Sequence, residues 1–190
     1  MPDSQQNTNS EHKIFLGYAS GVGKTHAMLE EAQRRARRGQ DVVIGIIESR
    51  GRKPVEELEE GLPKVPPKMI GGKPELDVDA IIARHPDVVL VDDLQHVNAP
   101  GSVREKRWQD VNELLKADIR VLSTVNVQHL ESLNDNISEI TGIAITDTIP
   151  DQLIHEADEV EYVDLTPPSA YKPARTWRYI SASVFESRCC

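Results

Sequence analysis

The chain has 190 residues, with 22 basic and 31 acidic side chains that give a formal net charge of −9. This length suits one domain that buries its own core without disulfide or metal support. The negative charge argues against nucleic acid as a main partner, and Cys189 and Cys190 are adjacent and cannot close a useful loop, which favours a reducing compartment.

The start of the chain, residues 1–12, is polar and is expected to be a disordered N-terminus. It shows no secretory signal, and the apolar runs of the chain are far shorter than the roughly 20 residues that cross a bilayer. We therefore expect a cytoplasmic chain without a membrane span, associated with a membrane only through a partner.

Periodicity and turn residues predict the elements in chain order. We expect a strand at 13–17, a helix at 24–38, a strand at 41–47, a helix at 54–60, a proline-rich loop or irregular edge at 62–68, a helix at 77–84, a strand at 87–92, a turn at 98–101, a helix at 104–116, a strand at 119–125, a helix at 127–140, a helix at 151–157 and a strand at 159–163. Buried strands that alternate with helices predict an α/β fold with a mostly parallel sheet.

A glycine-rich turn joins the first strand to the first helix and ends in Lys24-Thr25. Glycines let backbone N–H groups converge on a phosphate, and the helix adds its positive end. Lys24 would reach the β- and γ-phosphates, and the Thr25 hydroxyl would bind Mg²⁺. The turn predicts a P-loop NTPase-like three-layer sandwich, helices on both faces, in which ATP and Mg²⁺ are bound by Ser20, Gly21, Val22, Gly23, Lys24, Thr25 and His26.

Tyr18 departs from the usual signature, which has glycine or alanine at this position. The ring could crowd the mouth of the turn, or it could point back toward the sheet. Either way we expect a lower affinity rather than loss of the site.

A second apolar strand runs into Asp92-Asp93. Asp92 would hold Mg²⁺, through water, and Asp93 could orient an attacking water. The alternative is an acidic pair that faces solvent at the end of a strand. ATP is favoured over GTP because no Asp-x-x-Gly switch and no Asn-Lys-x-Asp guanine reader follow the turn.

Asn126 and Gln128 follow a strand that should end at the same edge of the sheet. Either side chain could sense the γ-phosphate, and Gln128 joins Asp93 as a candidate catalytic residue. The alternative is helix capping by Asn126 beside a surface amide and imidazole, Gln128 and His129. His96, just past the acidic pair, is either part of the site or an ordinary loop histidine.

Two basic clusters lie outside the turn. Arg104, Lys106 and Arg107 could neutralise phosphate charge, across a dimer as an arginine finger, or could be solvated charges in the first turn of a helix. The second cluster ends the helix at 24–38, where the helix dipole favours cations, with docking of a membrane or partner as the alternative; it comprises Arg34, Arg35, Arg37 and Arg38.

Several runs of the chain resemble the N-terminal cytoplasmic domain of the KdpD family of osmosensitive potassium-channel sensor histidine kinases. The most specific is Thr-Val-Asn-Val-Gln-His-Leu-Glu-Ser-Leu-Asn-Asp at 124–135. Others are Gly-Val-Gly-Lys-Thr at 21–25, Glu-Ser-Arg-Gly-Arg-Lys at 48–53, Asn-Ala-Pro-Gly-Ser at 98–102 and Lys-Arg-Trp-Gln-Asp-Val at 106–111. The resemblance covers about 14–168, so we expect one KdpD N-terminal-like P-loop domain at 13–168 and a divergent tail at 169–190.

The resemblance implies an ATP-binding regulatory domain of a two-component system that controls potassium-transporter expression and tunes kinase and phosphatase output. Its expected partners are the sensor histidine kinase core or the response regulator, with a homodimer as a further candidate. The kinase core is not recognisable in these residues. Asp92-Asp93 stands where the family has Asp-Glu, which puts hydrolysis in doubt more than binding.

Two other functions remain open. One is a free-standing P-loop ATPase or small-molecule phosphotransferase, although the sequence reveals no acceptor pocket. The other is a degenerate fragment that folds but binds nucleotide poorly, because of Tyr18 and the divergent tail.

Overall fold

The computed structural model describes residues 10–48, 51, 53–133 and 147–164. In chain order the elements are β1 His12–Gly17, α1 Lys24–Arg37, β2 Val42–Ile46, α2 Lys53–Glu59, β3 Lys68–Ile70, β4 Lys73–Glu75, α3 Val78–Arg84, β5 Val88–Val91, α4 Arg107–Lys116, β6 Arg120–Asn126, a 3₁₀ turn Val127–His129, α5 Gln152–Glu156 and β7 Glu159–Val163. These bounds agree with the predicted strands and with most of the predicted helices to within a few residues.

Five strands form the main sheet in the order β2-β5-β6-β1-β7, and every neighbouring pair is parallel. The α/β class with a mostly parallel sheet is therefore confirmed. Because all five strands run in one direction, their carboxyl ends meet at one edge, which is where α/β folds commonly bind ligands.

Two apolar layers cover the two faces of this sheet. On one face α1 and α2 pack through Met28, Leu29 and Val55 against strand residues such as Leu90 and Leu122. On the other face the apolar side chains of α3, α4 and α5 are packed against the strands, through residues that include Ile81, Val111, Leu114 and Leu153. Helices lie on both faces, as predicted, so the sheet edge holds the loops and the ends of strands and helices.

The segment between α2 and α3 adds two features beside the sheet. Residues 63–65 run along β2, where Ile44 N donates to the Pro63 carbonyl at 2.8 Å and Val65 N donates to the Ile44 carbonyl at 2.9 Å. This is the irregular edge expected at 62–68. The hairpin of β3 and β4, which was not predicted, turns through Gly71 and Gly72 with φ of 57° and 81°.

Two predicted helix starts are wrong. The helix predicted from residue 104 begins at Arg107, because the Gln109 side chain accepts from the Lys106 N–H at 3.0 Å and fixes Lys106 as the N-cap. The helix predicted from residue 127 begins instead with the 3₁₀ turn, after which Leu130 forms a parallel bridge with Ile149. Residues 131–133 are helical, and the rest of that predicted helix lies outside the described residues.

The N-terminal boundary also differs from the prediction of disorder through residue 12. His12 is the first residue of β1, and Glu11 binds Arg35 of α1 with an Oε1–Nη2 distance of 2.7 Å. Residues 1–9 and the predicted tail at 169–190 lie outside the described residues. Among the helices of the described ranges, none is both long and apolar enough to cross a membrane.

Candidate nucleotide site

The glycine loop, residues 18–23, leads from the end of β1 into α1. Gly21 and Gly23 have φ of 90° and 101°, which side chains rarely tolerate, and Gly23 is the N-cap of α1. A Cβ on Gly17 would lie 2.7 Å from Lys24 Cδ and 2.7 Å from Val22 Cγ2. The absence of that Cβ lets the Lys24 side chain fold back over the end of β1.

The start of α1 presents backbone donors to this loop. The first intrahelical bond runs from Ala27 N to the Gly23 carbonyl at 2.9 Å. The N–H groups of the residues between, Lys24, Thr25 and His26, are therefore not used by the helix itself. The His26 side chain is exposed, with Nδ1 3.9 Å from Glu30 Oε2.

Tyr18 does not point back toward the sheet, which is one of the two orientations expected for it. Its side chain is 70% exposed and lies outside the cavity described below. The ring therefore does not pack against the sheet and is largely surrounded by solvent.

The buried Lys24 ammonium connects the loop to β6. Its Nζ donates to the Ala19 carbonyl at 2.9 Å and to Asn126 Oδ1 at 2.5 Å. Asn126 is buried as well, and its Nδ2 donates to Ser20 Oγ at 3.4 Å. A positive charge, a carboxamide and a hydroxyl group thus lie close together at the start of α1.

Asp92 lies beside the first turn of α1, held by two hydroxyl groups. Thr25 Oγ1 is 3.3 and 3.2 Å from its two carboxylate oxygens, and Thr124 Oγ1 is 2.5 Å from Oδ1. Burial raises the pKa of Asp92 to about 6, and the Asp93 charge adds to the rise, while Thr124, Thr25 and the Glu48 backbone lower it. The carboxylate is poorly compensated in the protein alone, as expected of a group that meets a cation.

Thr25 and Asp92 fit the donor chemistry of Mg²⁺. This ion prefers oxygen ligands and is usually held by one or two protein groups together with substrate phosphates. The Thr25 hydroxyl and the Asp92 carboxylate supply two adjacent oxygens at the mouth of the helix. Elsewhere in the described ranges, no cluster of three or more His, Cys, Asp or Glu side chains could hold a metal ion.

Asp93 turns the chain sharply away from the sheet. Its φ is 53°, a left-handed conformation that is costly for a residue with a side chain. Its backbone N–H donates to Thr124 Oγ1 at 2.9 Å, and its Oδ1 accepts from Gln95 Nε2 at 3.1 Å. The predicted solvent-facing alternative for the acidic pair is wrong, because Asp92 is buried and Asp93 half-buried.

A cavity of about 320 Å³ opens at this edge of the sheet. It brings together the predicted Ser20, Asp93, Asn126 and Gln128 with further side chains, Glu48 among them, that were not predicted to belong to the site. Its full lining is Ser20, Glu48, Asp93, Gln95, His96, Val97, Asn126, Gln128, His129 and Asp147. Five separate segments of the chain therefore contribute polar groups to one space beside Lys24 and Asp92.

Gln128 and His129 lie in the wall of the cavity rather than on open surface. Gln128 Nε2 is 3.3 Å from His129 Nε2, and His129 Nδ1 is 2.7 Å from the Asp147 carbonyl. Both residues are half-buried at the cavity wall. The side chain of Asn126 makes no capping hydrogen bond to the 3₁₀ turn that follows it.

Of the basic residues near Asp93, Arg107 matches neither of its two predicted roles, an arginine finger or a solvated charge. Arg107 is fully buried, donates from Nη1 to the Asp92 carbonyl at 3.0 Å and lies 3.7 Å from Glu75. Arg104 binds Asp110, and Lys106 Nζ donates to the Thr148 carbonyl at 2.8 Å. Arg107 is therefore neither solvated nor extended toward a phosphate. Its hydrogen bond to the Asp92 carbonyl stabilises the chain just after β5.

The loop histidine His96 contacts Glu75, the buried carboxylate that also lies beside Arg107. Its Nε2 is 3.2 Å from Glu75 Oε1, which also accepts from the Ala99 N–H at 2.8 Å. His96 thus lines the cavity on one side and contacts the buried Glu75 on the other.

Of the second basic cluster, Arg34 and Arg35 form ion pairs with Glu31, which agrees with a structural role.

A larger groove of about 430 Å³ follows the outer side of α4, with Arg104 and Trp108 in its wall. None of the predicted phosphate or magnesium residues lines it. The smaller cavity is the candidate nucleotide site because it adjoins the glycine loop and the acidic strand end.

Three residues of this region have contacts that were not predicted from the sequence: Thr124, Glu48 and Arg107. The position of Glu48 could have been predicted, because Glu48 follows the apolar run 42–47 just as Asp92 follows the apolar run 88–91. Thr124 and Arg107 offered none, since their contacts with Asp92 depend on strand register and on helix packing.

Comparison with known proteins agrees with the resemblance noted in the sequence. The family model described as "KdpD: Osmosensitive K+ channel His kinase sensor domain" matches residues 8–173. The sensor protein KdpD of Mycobacterium tuberculosis (strain CDC 1551 / Oshkosh) is 55% identical over 159 residues, 82% of this chain. That of Escherichia coli (strain K12) is 51% identical over 159 residues, again 82% of this chain.

The chain spans only part of these relatives: 18% of the length of both the M. tuberculosis and the E. coli proteins. A putative sensor protein KdpD of Synechocystis (strain ATCC 27184 / PCC 6803 / Kazusa) is 49% identical over 86% of this chain and 45% of its own length. Among solved structures, the signal recognition particle receptor FtsY from Elizabethkingia anophelis aligns with a TM-score of 0.34 at 16% identity, over 83% of this chain and 44% of that chain. From the family match and the identities above, the chain belongs to the KdpD family of osmosensitive potassium-channel histidine-kinase sensor domains.

Proposed function

We propose that this chain is an ATP-binding regulatory domain of a KdpD-type two-component sensor kinase. The observation that carries the proposal is the buried Lys24 ammonium, held by Asn126 and the Ala19 carbonyl at the mouth of α1. A phosphate oxygen carries negative charge, so it would attract this ammonium more strongly than the neutral carbonyl and carboxamide oxygens do. The backbone N–H donors of the first helical turn would bind the same triphosphate.

In this proposal Ser20, Gly21, Val22 and Gly23 provide the loop, and Lys24 neutralises the β- and γ-phosphates. The Thr25 hydroxyl and Asp92 carboxylate would hold Mg²⁺, which neutralises phosphate charge when it is bound. Asn126 would exchange its bond with Lys24 for one with the γ-phosphate. Asp93 and Gln128 remain the proposed water-orienting groups at the cavity.

The signalling part of the proposal follows from what Asn126 joins. Its side chain contacts the loop, and its backbone leads directly into the 3₁₀ turn Val127–His129. If Asn126 changed its hydrogen-bond partner, the conformation of the segment after β6 would therefore change as well. That segment would present a different surface to the sensor kinase core or the response regulator, and through them alter expression of potassium-transport genes.

Calorimetric titration of MgATP into the chain and into Lys24→Ala tests the proposal. We expect the variant to bind at least about 30-fold more weakly, because truncating one member of a buried charged contact costs about 2–5 kcal/mol. Its folding should be intact, since α1 and β1 keep their apolar contacts.

Lys116→Ala is the matched control, because Lys116 is an exposed lysine that binds Glu113 of the same helix. It should bind MgATP like the unchanged chain. Equal affinities of Lys24→Ala and the unchanged chain would defeat the proposal.

A free-standing ATPase is the second candidate, and the carboxylates at the cavity wall favour it. Single-turnover hydrolysis separates the two candidates. Fast turnover, or transfer of phosphate to a metabolite, would indicate an enzyme, whereas tight binding with slow turnover fits a regulatory domain.

A further inference from the structure

The end of β2 is built differently from the other strand ends. Opposite β5, Ile44 pairs with Leu90 but Ile46 pairs with Val91, so β2 holds one extra residue at Gly45. A Cβ at Gly45 would lie 2.9 Å from Leu76 Cδ1 and 3.1 Å from the Leu90 carbonyl oxygen, which explains the glycine. Bulges of this kind redirect the residues that follow them and often occur beside active sites.

Glu48 lies just after this bulge and at the candidate site. Its backbone hydrogen-bonds the Asp92 carboxylate and lowers the pKa of Asp92. It lines the cavity together with Ser20, Asn126 and Gln128. Its carboxylate is also close enough to Arg107 to raise the pKa of that guanidinium, against the lowering caused by burial.

The other two side chains that could orient a water are less suited to take its proton. Asp93 is one methylene shorter than Glu48 and is held in a left-handed backbone conformation. Gln128 carries an amide, which can orient a water but is not a base at neutral pH. Glu48 has the longer carboxylate and reaches the cavity from the strand on the far side of β5.

We propose that Glu48 is the catalytic carboxylate that accepts the proton of the attacking water, beside the water-orienting groups Asp93 and Gln128, a role that rests on the proposed function because ATP must occupy the glycine loop. The water oxygen forms a bond to the γ-phosphorus as the bond from that phosphorus to the β–γ bridging oxygen breaks. The electron pair of the broken bond leaves with ADP. One proton of the water moves to Glu48 and then to solvent, while the other stays on the released phosphate.

The test compares Glu48→Gln with Asp93→Asn in single-turnover hydrolysis of MgATP labelled in the γ-phosphate. Both substitutions replace a carboxylate by an amide of the same size. We expect Glu48→Gln to slow hydrolysis at least about 100-fold and Asp93→Asn less than about 10-fold, since a positioned base contributes roughly 10²–10⁴ in rate. Glu48→Ala provides a second variant, which should be slowed at least as much.

Binding gives a readout that does not depend on turnover. ADP with aluminium fluoride mimics the transition state, so the unchanged chain should bind it more tightly than ADP. Glu48→Gln should lose about tenfold of that gain or more, while its affinity for MgATP stays within about threefold.

The outcomes separate this inference from the proposed function. The role of Glu48 is overturned if Glu48→Gln and Glu48→Ala hydrolyse ATP as the unchanged chain does, if Asp93→Asn is the slower variant, or if the unchanged chain binds ATP without hydrolysing it. In these three cases the regulatory ATP site still stands. If the unchanged chain does not bind ATP, both the role of Glu48 and the proposed function are contradicted.

Discussion

At the scale of single residues, Asp92 is a buried carboxylate that the protein alone stabilises poorly. Its pKa is raised to about 6 from an ordinary value of 3.8, chiefly by burial. Between these two pH values the folded chain binds a proton that the unfolded chain has lost. The contribution of Asp92 to stability therefore falls as the pH rises through this window, and above it the ionised group opposes folding.

Asp92→Asn should stabilise the chain without ligand at pH 7.5 and have little effect near pH 4. The gain should reach at most about 3 kcal/mol, because one pKa unit corresponds to about 1.4 kcal/mol. Urea unfolding of both forms at the two pH values measures it. The same variant should lose the Mg²⁺ dependence of ATP binding, and a gain that is equal at both pH values would contradict the electrostatic explanation.

The residues of the site could be predicted where their position follows from strand direction alone. Lys24, Thr25, Asp92 and Asn126 come together because β1, β5 and β6 are parallel and end at one edge. Glu48 and Thr124 were missed for different reasons. Glu48 depends on a bulge that adds one residue to β2, and Thr124 depends on the alternation of β6 beneath Asp92.

At the scale of elements, apolar composition was sufficient to predict the strands of the main sheet, but it did not predict where every helix begins. The start of α4 is set by the Gln109 side chain and by Asn98, whose Nδ2 donates to Asp110 Oδ2 at 2.6 Å. Such contacts across a loop leave no periodic pattern. The hairpin of β3 and β4 did leave a signal, the Gly71-Gly72 pair, but its charged strands lack the apolar alternation of a buried strand.

Strand β1 is joined to both of its neighbours, β6 and β7, by contacts of His12. Its Nε2 is 2.8 Å from Ser123 Oγ of β6, and its backbone N–H donates to Asp158 Oδ2, just before β7, at 2.8 Å. Burial lowers the pKa of His12 to about 4, although Asp158 raises it somewhat. His12 is therefore neutral in the folded chain over most of the range where the unfolded chain binds a proton.

This difference predicts acid lability of the sheet. Stability from His12 is fully present above pH 6.5 and is lost as the pH falls toward 4, by about 3 kcal/mol in total. His12→Gln removes the titration and keeps a polar group near Ser123. The free energy of unfolding in urea, measured from pH 7 to pH 4.5, should fall less steeply for the variant; parallel curves would exclude His12 as the cause.

At the scale of the whole molecule, contacts connect the nucleotide site to two segments on the same side of the sheet. Asn126 leads into the 3₁₀ turn, and Leu130 after that turn pairs with Ile149. Lys106 Nζ donates to the Thr148 carbonyl, which joins the loop before α4 to the same segment. A shift at Asn126 can therefore reach residues 98–106 and 147–150 through direct contacts.

Coupling of this kind should be visible in hydrogen exchange. With a non-hydrolysable ATP analogue rather than ADP, backbone amides at 127–133, 147–150 and 98–106 should exchange about 5–150-fold more slowly, the range of a typical coupling energy of 1–3 kcal/mol. Asn126→Ala should still bind both nucleotides through Lys24 and the loop, but the difference between them should disappear. Ser20→Ala, which removes only the 3.4 Å contact with Asn126, is the control and should keep most of the difference. If Asn126→Ala responds to the two nucleotides as the unchanged chain does, the signal must leave the site by another route, because a ligand shifts an equilibrium only through its differential contacts with the two states.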